Sequence, residues 1–265
     1  MPLDPALVTQ LRSMLARYRV AHGIAAVPNG PGKALEAWVL MRLADKARLS
    51  NKWNVTLRRA DETPLPTGAS FGLPVSQSGI PQSHPTGRCH VLMERKSDSF
   101  SLELHGSLQW MGRSNATHEC DVSVLPKEIA SALRNNGGGR PRGLPVAAYE
   151  CKDIPRTGQT DEMRQTVARL FDLVLVTRPQ SGVSCRIFES ASGGSAWGSR
   201  SSTYRSFFYR GAFGVVRVGH FSKGARRLGA HYHVGRHGDV YGRVQTIDDI
   251  ERGWMSLLDN IDGLV

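Results

Sequence analysis

From residue 88 to residue 178 the chain reads strand, strand, strand, strand, helix, strand, with a helical stretch before it. That order describes a mixed α/β domain, in which extended runs pair into a sheet and helices cover it. Arg88–Lys96 and Phe100–Trp110 form a β-hairpin pattern closed by Ser97-Asp98-Ser99, and His118–Leu125 is a further strand. The run from Pro145 is apolar until it ends in Glu150-Cys151-Lys152. Thr160 to Asp172 is helical by pattern, with Thr160 as N-cap and Asp161 and Glu162 in the first turn. Leu173–Thr177 reads as a buried strand because it is continuously apolar.

The flanks are helical. Leu7, Leu11, Met14, Leu15 and Tyr18 fall on one helix face, with Asp4 and Pro5 as its start. After a connection from Gly23 to Gly32, Pro31 opens a second helix over residues 31–48, with Leu35, Val39, Leu40 and Leu43 as its apolar side. Residues 61–87, rich in Pro, Gly, Ser and Thr, read as a long loop. Asn135 to Pro141 is a flexible break, and Ile247–Leu258 is a final amphipathic helix.

With 40% hydrophobic and 22% charged residues in 265, the chain can bury a real core. A disordered chain, a collagen repeat and a small disulfide scaffold are excluded. Lys and Arg number 34 against 23 Asp and Glu, a net charge of +11, so the surface favours a polyanion. The cysteines Cys89, Cys120, Cys151 and Cys185 show no CxxC spacing and read as buried reduced thiols. No apolar window is long enough to span a membrane and the N-terminus has no secretory apolar region. The expectation is a soluble, cytoplasmic protein without a membrane partner.

The segment that carries chemistry is Glu150-Cys151-Lys152. In a strand, residues two apart share a face, so Glu150 and Lys152 point together while Tyr149 and Cys151 point into packing. Upstream, His118–Val124 carries Asp121. With Val122 and Val124 in the core, Asp121 and Ser123 are expected to face a cleft. Two carboxylates and an ammonium gathered this way make a site for a hard cation such as Mg²⁺. Such a cation stabilises charge on a phosphate and lowers the pKa of a bound water, and a neighbouring lysine stabilises the developing anion. Glu119 becomes the ligand if the register shifts by one. A second triplet, Glu94-Arg95-Lys96, has no comparable strand acid before it, so Glu150 is preferred.

The spacing Asp121-x(28)-Glu150-x-Lys152, with these strands, resembles the PD-(D/E)xK nuclease superfamily over about residues 31–178. The resemblance implies a restriction-endonuclease-like mixed sheet flanked by helices and a Mg²⁺-dependent endonuclease, with Mn²⁺ able to substitute. DNA is the implied substrate and a homodimer an implied assembly, in restriction, repair or anti-phage defence. Asp121 and Glu150 are then the metal carboxylates and Lys152 the motif lysine. Glu36 matches the acidic residue that many members carry on the preceding helix. It sits on the stripe of Val39, Leu40 and Leu43, where an acid needs a cation partner. Arg164 and Gln165, on the helix after the motif, are placed to reach the nucleic-acid backbone. Cys120 stands where the motif has proline.

The expected organisation is an N-terminal helix over 1–30, the nuclease core over 31–178 and a basic, β-rich extension over 179–265. From Gln180 to Gln245 there are ten Lys and Arg, two acids and ten of the nineteen aromatics. Arg205, Arg210, Lys223, Arg226 and Arg227 are its candidate phosphate contacts, and its aromatics are candidates for base stacking. The alternative function is a non-catalytic nucleic-acid-binding protein that uses this region. A third, zinc-dependent reading rests on His231, His233 and His237, with His231 and His233 on one face of a strand.

Overall fold

The computed structural model describes residues 4–20, 31–73, 78–84, 88–173, 175–176, 185–186, 188–189, 212–241 and 244–263. The strands on the main path of its sheet are β1 (Trp53–Arg58), β2 (His90–Arg95), β3 (Ser101–Met111), β4 (Thr117–Pro126), β5 (Ala147–Lys152), β6 (Ala212–Arg217) and β7 (Gly235–His237). Its helices are α1 (Pro5–Arg17), α2 (Pro31–Leu49), α3 (Lys127–Asn135), α4 (Thr160–Leu173), α5 (Lys223–His231) and α6 (Val244–Asp259). The strands lie side by side in chain order, β1 through β7. Neighbours from β1 to β5 are antiparallel, and β5, β6 and β7 are parallel. The fold is therefore α/β around one mixed sheet.

Local sequence accounts for the helix ends. Asp4 accepts the Ala6 N–H at 2.8 Å and caps α1, whose Leu7, Leu11, Met14 and Leu15 are buried. On α2, Leu35, Val39, Leu40 and Leu43 are all buried. Trp38 Nε1 donates to Gln10 Oε1 at 3.0 Å and ties α2 to α1. Ser222 caps α5 by accepting the Ala225 N–H at 3.2 Å.

The structure differs from the expected organisation in its last third. Leu173 ends α4 because Met163, Val167, Leu170 and Leu173 continue one helical stripe. Among the described residues of the apolar run Leu175–Val176 is extended, and it pairs with Cys185–Arg186 outside the main sheet. The strand beside β5 is instead β6, running parallel with Ala147↔Ala212 through Lys152↔Arg217. Residues 212–263 thus complete the core and are not an extension added to it. Phe213, Val215, Val216, Ile250, Trp254 and Leu257 belong to the same buried cluster as α2 and β3.

Helix α6 is fastened to α2. Trp254 is fully buried and its Nε1 donates to the Leu43 carbonyl at 3.0 Å. Glu251 accepts from Arg42 at 2.5 Å and pairs with Lys46 at 2.7 Å. Trp254→Ala should therefore cost about 3–5 kcal/mol of unfolding free energy in a denaturant titration. A loss below about 1 kcal/mol, or a separate early transition, would show that α6 is an independent appendage.

Helix α3 has no counterpart in the sequence reading. It follows Pro126, buries Ile129, Ala130 and Leu133, and ends at Asn136. Among the described residues no helix is long and apolar enough to cross a membrane. Cys89, Cys120 and Cys151 are buried free thiols, as expected.

Candidate active site

Three neighbouring strands bring the predicted acids together. On the β3–β4 ladder Gly106↔Val122 and Leu108↔Cys120 are paired, which leaves Ser107 opposite Asp121. Ser107 takes a left-handed backbone, φ 48°, a conformation that costs of order 1–3 kcal/mol for a non-glycine residue. On the β4–β5 ladder the last pair is Val122↔Tyr149, so one further step sets Asp121 opposite Glu150. There a side chain replaces the ladder: the Cys151 N–H donates to Asp121 Oδ2 at 2.6 Å. Ser107, Asp121 and Glu150 thus form a row across β3, β4 and β5 where regular pairing stops.

Glu150 and Lys152 share a face, as the strand period requires, and their side chains are ion-paired. Arg169 of α4 donates to the other oxygen of Glu150 at 2.9 Å. Tyr149 and Cys151 are buried on the opposite side. Glu36 reaches the cluster from α2. It is buried and accepts from Lys33 Nζ at 2.8 Å and from Ser107 Oγ at 2.8 Å. The cation that an acid on this stripe demands is therefore Lys33, one helical turn earlier.

Burial and charge crowding together set the electrostatics, with burial the larger cause for both raised acids. Asp121 is pushed up to about 8, first by burial and then by Glu150 and Glu36, against the Cys151 N–H and Lys152. Glu119 is also raised, by burial and by Glu36 and Glu150, against Lys33 and Ser107. Lys152 is held above the ordinary lysine value: burial opposes its charge, and Glu150 and Asp121 outweigh that. Glu119 is thus a member of the cluster beside Asp121, not a substitute for it.

The donor set is hard oxygen in an excess of negative charge, which fits a divalent cation such as Mg²⁺. In the present arrangement no three His, Cys, Asp or Glu side chains among the described residues stand close enough to hold a metal. Lys152 and Arg169 pair with the two oxygens of Glu150, and Lys33 with Glu36.

Other expected positions separate. Ser123 does not face a cleft; it is fully buried and accepts from Trp110 Nε1 at 3.1 Å. Both faces of β4 are covered here, since every residue from Cys120 to Pro126 is buried. Glu94 lies away from the cluster, in a groove with Asp98, Phe100, Pro126 and Glu128. His231 closes α5 and His233 has φ 56°, so the two are not alternate residues of a strand. Arg164 and Gln165 are exposed on α4, and Lys223, Arg226 and Arg227 are exposed on α5. The two helices meet at their starts, where a Cβ on Gly224 would stand 2.4 Å from Thr160 Oγ1. Arg205 and Arg210 lie outside the described residues.

Sequence reasoning missed Lys33, Ser107 and Arg169. Lys33 was readable as the i,i+3 partner of Glu36 on one helix face. Ser107 carried no such signal, since its role depends on a backbone twist within a strand. A scan of protein-family models finds no match, and no curated protein or solved structure matches this chain.

Proposed function

We propose that this protein is a Mg²⁺-dependent nuclease that hydrolyses phosphodiester bonds, with DNA as its substrate. The observation that carries the reading is the convergence of Asp121, Glu150, Lys152 and Glu36 from β4, β5 and α2 at a break in the sheet. The element order supports it: a helix with an acid, antiparallel strands carrying Asp and Glu-x-Lys, a helix, then a parallel strand. That is the order expected of a PD-(D/E)xK nuclease. Mn²⁺ is the expected substitute metal, and restriction, repair or anti-phage defence the expected setting.

In this reading Asp121 and Glu150 hold the metal and Glu36 contributes from the helix. When bound, the metal supplies charge stabilisation on the phosphate and a more acidic water. Lys152 holds its ammonium beside Glu150, where it donates to the anion that develops on the phosphate. The exposed Arg164, Gln165, Lys223, Arg226 and Arg227 on α4 and α5 offer contacts to the nucleic-acid backbone.

A second reading draws on the ion pairs that occupy Glu150 and Glu36: a nucleic-acid-binding protein without catalysis. The two separate by mutation. Asp121→Ala and Glu150→Ala should each abolish Mg²⁺-dependent cleavage and leave a cooperative thermal unfolding transition. Cleavage that survives in both variants would end the assignment. Survival in Glu150→Ala with loss in Glu94→Ala would move the site to β2.

A further inference from the structure

On the face of β5 opposite Glu150, the sheet and α6 border a cavity of about 670 Å³. Its floor is a row across three parallel strands. Tyr149 of β5 pairs with Gly214 of β6, and Gly214 with Gly235 of β7. His237 lies two residues beyond Gly235 and shares its face, and its ring reaches back over both glycines. A Cβ on Gly214 would stand 2.9 Å from His237 Cδ2, and one on Gly235 only 2.4 Å from Nε2. The two glycines therefore make the room in which the imidazole lies. The Tyr149 and His237 rings are 6.2 Å apart and tilted by 47°.

Both polar groups on this floor are left without a partner. Tyr149 is 2% exposed, yet among the described residues nothing bonds its hydroxyl, and burial alone pushes the phenol up. The His237 imidazole has no hydrogen bond among the described residues either. Burial lowers it to about 4 against the pull of Asp249, and Arg236 adds to the lowering. Buried polar groups are normally paired. Here both line a cavity in which a ligand can supply the partners.

The facing wall is open as well. Gly253 of α6 lines the cavity, and a Cβ there would meet nothing within 4 Å. Glycine is disfavoured inside a helix, and at this position it leaves space that no side chain fills.

Charge narrows the class of ligand. Asp249, Asp259 and Asp262 line the cavity, and among the described residues no Lys or Arg does. Each carboxylate is paired with a cation outside the lining. Asp249 meets Arg252 at 2.9 Å, Asp259 meets Lys52 at 2.7 Å and Asp262 meets Arg95 at 2.8 Å. A phosphate would face carboxylates, and a cationic ligand would find them already answered. The phenol and the neutral imidazole each donate and accept, and a base edge presents donors and acceptors side by side. The rings of Tyr149, His237 and Phe213 offer aromatic surface for its plane.

We infer that this cavity binds an uncharged nucleobase, free or as its nucleoside, with the Tyr149 hydroxyl and the His237 imidazole bonding the base edge. The site lies across β5 from the proposed catalytic acids and does not rest on the nuclease reading.

Isothermal titration of the full chain with adenosine, guanosine, cytidine and thymidine tests it, beside the 5′-monophosphate of each. At least one nucleoside should bind once per chain, and its monophosphate at least about tenfold more weakly. Tyr149→Phe should weaken that binding by about fivefold, the worth of one neutral hydrogen bond, without lowering the melting temperature. Gly253→Met should block the cavity and abolish binding, again with no loss of melting temperature. No binding of any of the four nucleosides at millimolar concentration would overturn the inference, and so would a monophosphate that binds as well as its nucleoside. Unchanged affinity in Tyr149→Phe, which keeps the ring, would place the ligand elsewhere, as would full binding by a folded Gly253→Met. A lowered melting temperature in Tyr149→Phe would show that the hydroxyl serves the fold and not a ligand.

Discussion

Lys152→Ala should slow DNA cleavage by about 10²–10³ and leave DNA affinity nearly unchanged. The lysine is half-buried and ion-paired with Glu150, on the strand end that also places Glu150 opposite Asp121. Its ammonium is preorganised by that pair and by Asp121, both of which favour its charge. A fixed cation beside a reacting phosphate acts on the transition state, whereas one phosphate contact among many changes binding little. Single-turnover cleavage and equilibrium binding, measured on the same DNA, decide the matter. Equal losses in rate and affinity would reduce Lys152 to an ordinary backbone contact.

Arg134→Met should destabilise the fold by about 3–5 kcal/mol. Arg134 of α3 donates to both oxygens of Glu103, at 2.8 and 2.6 Å, and to Glu62 at 2.8 Å. Glu103 is fully buried on β3 and also contacts His105 at 2.8 Å. His90 stacks on His105 with ring centroids 5.1 Å apart. Burial lowers His90 to about 3 and takes His105 well below its ordinary value. Arg134 adds to the lowering of both imidazoles. The variant leaves Glu103 as an uncompensated buried carboxylate. Adding Glu103→Gln should restore part of the loss, because it removes that charge. Denaturant unfolding measures both variants, and a loss below about 1 kcal/mol for Arg134→Met would contradict the account.

Much of the sheet was legible because its signals are local. The hairpin of β2 and β3, strand β4, the end of β5 in Glu150-Cys151-Lys152, and helices α1, α2 and α4 follow from periodicity and end residues within a few positions. What was not legible depends on distant partners. Of the run Leu173–Thr177, Leu173 closes α4 and Leu175–Val176 is extended, a division that a continuous apolar run does not mark. Strand β6 is short and sits in a basic, glycine-rich context, so its place beside β5 is set by pairing and not by composition. Helix α3 carried a signal that went unread, with Ile129, Ala130 and Leu133 on one face.

The candidate site divides the same way. Asp121, Glu150 and Lys152 follow from strand alternation and spacing, and Glu36 from its position on a core-facing stripe. Ser123 was misplaced because alternation tells which residues share a face and not whether that face is covered, and β4 is buried on both faces from Cys120 to Pro126. Arg169 enters through the packing of α4 on β5, which no local pattern encodes.

Incubation of the pure, full-length protein with supercoiled plasmid, in Mg²⁺ and in EDTA, tests the central claim most directly. The account predicts nicked or linear DNA in Mg²⁺ and intact plasmid in EDTA, with cleavage lost in Asp121→Ala under the same conditions. Plasmid that is bound but left intact in both Mg²⁺ and Mn²⁺, or cleavage that persists in EDTA, would contradict it.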